Sequence, residues 1–119
     1  MSTDAGSPQL RPCPRTPNCV SSQGHGKQYI EPFPDDESSW ERLPGILEAM
    51  PGVAIVEQTP QTLRAEARTK VLRFVDDLDF VHDREKGLIQ MRSASRLGYS
   101  DFGANRRRLE AVRGKLMKG

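Results

Sequence analysis

Apolar residues recur along this chain with two different periods, and the change of period divides it into elements. Trp40, Leu43, Leu47 and Met50 follow one another at the spacing of a single helix face. Ser38 or Ser39 can cap that helix and Pro51-Gly52 ends it; Pro44 is tolerated in a first turn, so regular helix is expected from near Glu41. The pattern then changes to alternation. VAIVEQ at 53–58 is followed by TLRAEART at 62–69, where Leu63, Ala65 and Ala67 alternate with Arg64, Glu66 and Arg68, which predicts a hairpin across Thr59-Pro60-Gln61. A second hairpin is expected from strands near 72–82 and 87–95, joined by Asp83-Arg84-Glu85-Lys86 with Gly87 as turn glycine. Helical spacing returns over Ala104–Met117, with Leu109, Val112 and Leu116 inward and Asp101 or Ser100 as cap. The order helix, four strands, helix predicts an α+β two-layer sandwich, its antiparallel sheet built of about four strands.

Ahead of the first helix the periodicity fails. Residues 1–12, rich in Ser, Pro and Gly, are expected to be a disordered tail, with a single domain over 13–119. Pro14, Pro17, Pro32 and Pro34 interrupt the stretch from Cys13 to Asp36, so it is expected to run as an ordered but irregular arm pinned to the core by Tyr29, Ile30 and Phe33.

The second hairpin allows a register to be derived. Pairing His82 with Gly87 makes partner numbers sum to 169, which sets Phe80 against Ile89 and Leu78 against Met91 on one face, and Asp77 against Arg92 and Asp79 against Gln90 on the other. Asp76 then falls on the apolar face, between Phe74 and Leu78 and opposite Ser93. A buried carboxylate demands dedicated donors, expected from hydroxyls or backbone N–H groups near Ser93, Tyr99 or the arm, whereas Asp77 points outward.

Composition narrows the function classes. The chain has 119 residues, a formal charge of +2 and 35% hydrophobic residues, enough for one core. No window approaches the roughly 18 apolar residues of a membrane span, and the first residues carry no apolar stretch of a secretory signal, so a cytoplasmic chain is expected by default, as a monomer. There is no Walker loop, dinucleotide fingerprint or internal repeat, and no cofactor is expected. Charge is uneven: six acids against one base lie between Glu31 and Glu48, and eight bases against two acids between Arg92 and Lys118. Arg106, Arg107 and Arg108 lack interleaved aromatics, which leaves nucleic-acid binding a minor alternative.

Three strings carry a resemblance. CPRTPNCVSS at 13–22 with YIEPF at 29–33, FVDDLDF at 74–80, and MRSASRLGYSDFGANRRRLE at 91–110 together resemble the DUF1499 family of bacterial and plastid proteins, over about residues 13–117. That family is named for an unknown function, so the resemblance implies no catalytic residues; some of its members carry export signals or membrane anchors.

The richest polar cluster is Arg92, Ser93, Ser95, Arg96, Tyr99, Ser100, Asp101, Asn105 and Arg106, running from a strand end through a loop into a helix start. Such a junction gathers N–H, hydroxyl and guanidinium donors and suits an anionic small molecule or membrane component. The competing account pairs Arg92 with Asp77, Arg96 with an acid of the arm, and uses Ser100 and Asp101 only as caps. A rival function is a scaffold or assembly factor that docks a protein partner through the arm, and a minor one an enzyme of unknown reaction using Asp76. Asp76, Asp77, Cys13, Asn18 and Cys19 are read as structural polar positions. Cys13 and Cys19 are either bridged, at a gain of roughly 2 kcal/mol, or buried as thiols; their spacing is not that of a thiol oxidoreductase, and in a cytosolic chain they stay reduced. With His25 they would lack a fourth metal ligand, so no metal is expected. No elbow motif frames a nucleophile for His25 or His82.

Overall fold

Alternation over Thr62–Arg68 buries Leu63, Ala65 and Ala67 on one side of a strand and leaves Arg64 and Arg68 on the other. The computed structural model describes residues 9–36, 38–69, 74–97 and 103–118, and builds around this strand an α+β fold of two helices and one antiparallel sheet. In chain order the elements are β1 (Cys19–Ser21), β2 (Phe33–Pro34), α1 (Ser39–Glu48), β3 (Val53–Gln58), β4 (Thr62–Arg68), β5 (Val75–Asp83), β6 (Leu88–Ser95) and α2 (Ala104–Met117). The sheet order is β1-β6-β5-β4-β3, with β2 also paired to β6.

The sheet has six strands, not four, because the arm contributes two. Residues 19–21 pair with 92–94 of β6, and Phe33-Pro34 pairs with Leu88 and Ile89, so two short strands occupy the edge of β6 in succession. The prolines between them do limit pairing, since the intervening chain is a short 3-10 turn at Gly26–Gln28 and irregular backbone. Ile30 and Phe33 are buried as expected, but Tyr29 is 45% exposed. Cys13 and Cys19 form a disulfide. Residues 9–12 precede the expected start of the domain, yet Leu10 is buried and Arg11 pairs with Asp79 at 2.8 Å.

The register of the second hairpin is offset by two from expectation: partners sum to 171, so His82 faces Ile89, Leu78 faces Ser93, Asp76 faces Ser95, Asp77 faces Ala94 and Asp79 faces Arg92. Gly87 is the cause. At φ +68 it lies in the left-handed region and belongs to the turn, its N–H bonded to the Arg84 carbonyl at 3.2 Å, which moves the closing pair out to Asp83 and Leu88. An even offset preserves which face each side chain occupies.

Helix α1 starts at Ser39, two residues before the expected position, and carries Pro44 inside it rather than in its first turn. A proline there forfeits the bond to the Trp40 carbonyl and sets its ring against that oxygen. The turn after α1 requires glycine: Gly52 has φ +78, and a Cβ there would stand 2.6 Å from the Arg68 carbonyl oxygen. The core draws on both helices and one sheet face, with Leu43, Leu47, Leu109, Val112 and Leu116 against Leu63, Leu78, Phe80, Ile89 and Met91, closed by Val20, Ile30 and Phe33 from the arm. Phe74, expected on the apolar face, is 46% exposed beyond the end of that core. Among the described residues no helix is long and apolar enough to cross a membrane.

Candidate functional site

Alternation along β6 divides the expected polar cluster between the two sheet faces. Ser93 and Ser95 point into the core and meet Asn105, in the first turn of α2, whereas Arg92 lies on the outer face. Tyr99, Ser100 and Asp101 lie outside the described residues, and the N-cap position of α2 is taken by Gly103 at φ +82.

The inner half is a closed network. Asn105 is fully buried: its amide donates to the Asn18 carbonyl at 3.2 Å and to Ser95 Oγ at 3.1 Å, and its Oδ1 accepts from the Ser93 hydroxyl and from Arg108 at 3.0 Å. Asp76, 4% exposed, is inward as expected, but its partner is Arg108 Nη2 at 2.9 Å rather than a hydroxyl or backbone donor. Asn18 ties the arm to this network, accepting from the Thr16 hydroxyl at 2.6 Å and donating to the Ser95 carbonyl at 3.3 Å. Arg108 was not distinguished in the sequence from its basic neighbours. The signal that finds it is helical spacing, since 105, 108, 109, 112 and 116 form one stripe, together with the need of a buried acid for a cation.

On the outer face the arginines also meet carboxylates. Asp79, also missed as a centre, receives Arg11 Nη2 at 2.8 Å and Arg64 Nε at 3.1 Å, with Arg92 Nη1 at 3.7 Å. Arg92 therefore pairs with Asp79, not Asp77. Burial, and then the nearby Arg11, push the Arg92 pKa down, while the bond to Asp79 raises that of Arg11. Arg96 binds Asp77 through Nε and Nη2, both at 2.9 Å, and Glu66 through Nη2 at 2.7 Å, all three on the sheet rather than on the arm. The Arg96 hydrogen bonds hold the Asp77 carboxyl below the usual aspartate range. A depressed folded pKa contributes stability above the unfolded value of about 4, lost as pH falls through the lower folded value. In an NMR titration Asp77 should therefore titrate below an ordinary aspartate, and Arg96→Gln should bring it back; an unshifted Asp77 in the wild type would contradict the bidentate geometry.

Arg106 behaves differently. Its Nη2 donates to the carbonyls of Lys27 and Tyr29, each at 2.8 Å, and two helical turns later Arg113 donates to those of Glu31 and Pro32. These are carbonyls that the irregular arm does not commit to a ladder, so part of the basic character of α2 is explained by satisfying them. The described partners of Arg106 hold the side chain without neutralising it. Beside it an open cleft of about 260 Å³ lies between the arm and the start of α2, bordered by Lys27, Gln28, Gly103 and Arg106 with Pro17 and Val20 in its wall, and no acid is among the described residues that line it.

Other chemistry is sparse. His82 Nε2 meets Asp35 Oδ2 at 2.7 Å and its ring stacks on Trp40, a pairing that joins β5, the arm and α1. Among the described residues no group of three or more His, Cys, Asp or Glu side chains is placed to hold a metal ion.

No curated protein and no solved structure matches this chain. A family model does match, over residues 9–116, that of a protein family of unknown function. Nearly the whole chain is covered: this protein belongs to the DUF1499 family.

Proposed function

We propose that this chain is a binding module for an anionic group, seated in the cleft at the amino-terminal end of α2. The observation that carries the reading is the cleft lining, whose described residues bring Lys27, Arg106 and a helix amino terminus together with no acid among them. Peptide dipoles place roughly half a positive charge at such a terminus, and Arg106 is held in place by carbonyl oxygens that leave its charge available to a ligand. Arg92 and Arg96, which the sequence grouped with it, each face a carboxylate, as does Arg108, and add little to an anion site.

The group belongs either to a free small molecule or to a lipid headgroup, and Phe74 and Leu97, both exposed, favour testing the second source as well. Docking of a protein partner through the arm has less support, because Ile30 and Phe33 are buried and the carbonyls from Lys27 to Pro32 are largely bonded to α2. A reactive role for Asp76 also has less, since Arg108 holds it inside the core.

Thermal shift with phosphate, sulfate, phosphate monoesters and dicarboxylates, and flotation with phosphatidylcholine vesicles with and without phosphatidylglycerol, separate the two sources. At a ligand concentration of about 100 times Kd the stabilisation should be about 2.7 kcal/mol. Lys27→Glu, at an exposed position, should weaken binding about tenfold or more while leaving the unliganded melting temperature unchanged. No shift by any anion and no flotation with anionic vesicles would end the proposal.

A further inference from the structure

Gln9, Leu10 and Arg11 line two clefts at once, one of about 480 Å³ against the arm and one of about 280 Å³ against the outer face of the sheet, so the segment before Cys13 lies as a partition along one longer trough between arm and sheet. The way it is held resembles recognition of an extended peptide, in which main-chain bonds alternate with side-chain pockets. The Leu10 N–H donates to Gln23 Oε1 at 2.8 Å and its side chain is buried, Arg11 reaches Asp79 at 2.8 Å, and the Pro12 carbonyl accepts from Arg92 Nη2 at 3.3 Å. Beneath it Arg92 is 7% exposed, and its Nε has no partner among the described residues.

The hold is also light. Arg11 keeps 58% of its side chain exposed, and the segment contributes one buried leucine, one ion pair and two main-chain bonds, with the Cys13–Cys19 disulfide fixing its exit. A tethered ligand of this kind acts at a millimolar effective concentration, which a partner peptide can match.

We infer that this trough is a peptide-binding groove, occupied in cis by Gln9–Pro12, and that its partner is a protein presenting an extended leucine–arginine–proline segment. Asp79 reads the arginine, Gln23 and Arg92 read the main chain on either side of it, and the leucine fills the cleft wall. None of these three residues borders the cleft at the start of α2, so the inference stands or falls separately from the anion reading.

The full chain carrying Leu10→Ser and Arg11→Ser vacates the groove. A dye-labelled peptide of sequence Ser-Pro-Gln-Leu-Arg-Pro should bind this variant at least tenfold more tightly than it binds the wild type, by fluorescence anisotropy. Alanine in place of the peptide arginine should cost tenfold or more, a change that cannot unfold the protein. If the double variant does not fold, the wild type still reports: excess peptide should quicken hydrogen exchange at the Leu10 amide by displacing it from Gln23. No binding to a folded variant, equal binding of the arginine and alanine peptides, or unchanged exchange at Leu10 would overturn the inference. A dimer that forms by exchange of the segment between two copies would overturn the assignment to a different partner protein.

Discussion

Asp76→Ala should lower the stability of the chain by about 3–5 kcal/mol, the cost of breaking one side of a buried ion pair. Arg108 would be left with its guanidinium inside the core, its side chain only 15% exposed, facing Asn105 Oδ1 and Ser93 Oγ but no anion among the described residues. Asp77→Ala, on the neighbouring residue, removes one of two carboxylates from an Arg96 whose side chain is 47% exposed and which keeps Glu66, and a pair so screened by water contributes little. Urea unfolding with an unchanged slope should therefore separate two adjacent aspartates clearly. The cause can be isolated as well: replacing both members, Asp76→Leu with Arg108→Met, should recover most of the loss, because an apolar pair of similar volume carries no desolvation cost. Equal destabilisation by Asp76→Ala and Asp77→Ala, or a double variant no better than the single one, would mean that the charge pair is not what holds this end of α2 to the sheet.

What the sequence could reveal here follows from the length over which a pattern is sampled. Seven residues of alternation in β4 and the stripe Leu109, Val112 and Leu116 in α2 each repeat their period several times, and both elements lie where the pattern places them. The inward turn of Asp76 and the outward turn of Asp77 were readable for the same reason, since facing depends only on parity. Which residue faces which across the hairpin depends on turn geometry, and there one glycine in the left-handed region moved every partner by two. β1 and β2, with three and two residues, are too short to show a period, and prolines on either side made the arm read as wholly irregular. Arg92 to Arg106 read as one site because the sequence lists them together, whereas strand alternation sends Arg92 and Ser93 to opposite faces. The disulfide needed a distance between cysteines that no spacing supplies.

Removing residues 1–34 should leave no cooperatively folded domain, a stronger outcome than the loss of a few contacts expected for a decorative arm. The cut takes Val20, Ile30 and Phe33 out of the core, each worth about 1.5–3 kcal/mol when fully buried. Together these approach a total stability of roughly 6–18 kcal/mol for a chain of this length, before the remaining costs are counted. Both strands on the edge of β6 go with it, exposing its backbone groups, and so does the Asn18 carbonyl that receives the Asn105 amide. Arg113 would lose the ring of Phe33, which it covers at 5.2 Å, together with its carbonyl acceptors. A cut after residue 12 is the informative comparison. It spares the strands but removes Leu10 and the Arg11 bond to Asp79, so it should cost about 1–3 kcal/mol and retain a cooperative transition. Near-ultraviolet circular dichroism of Trp40, the single tryptophan, reads both transitions. A native signal and an unshifted urea midpoint after the longer cut would show that the sheet and helices close their core without the arm.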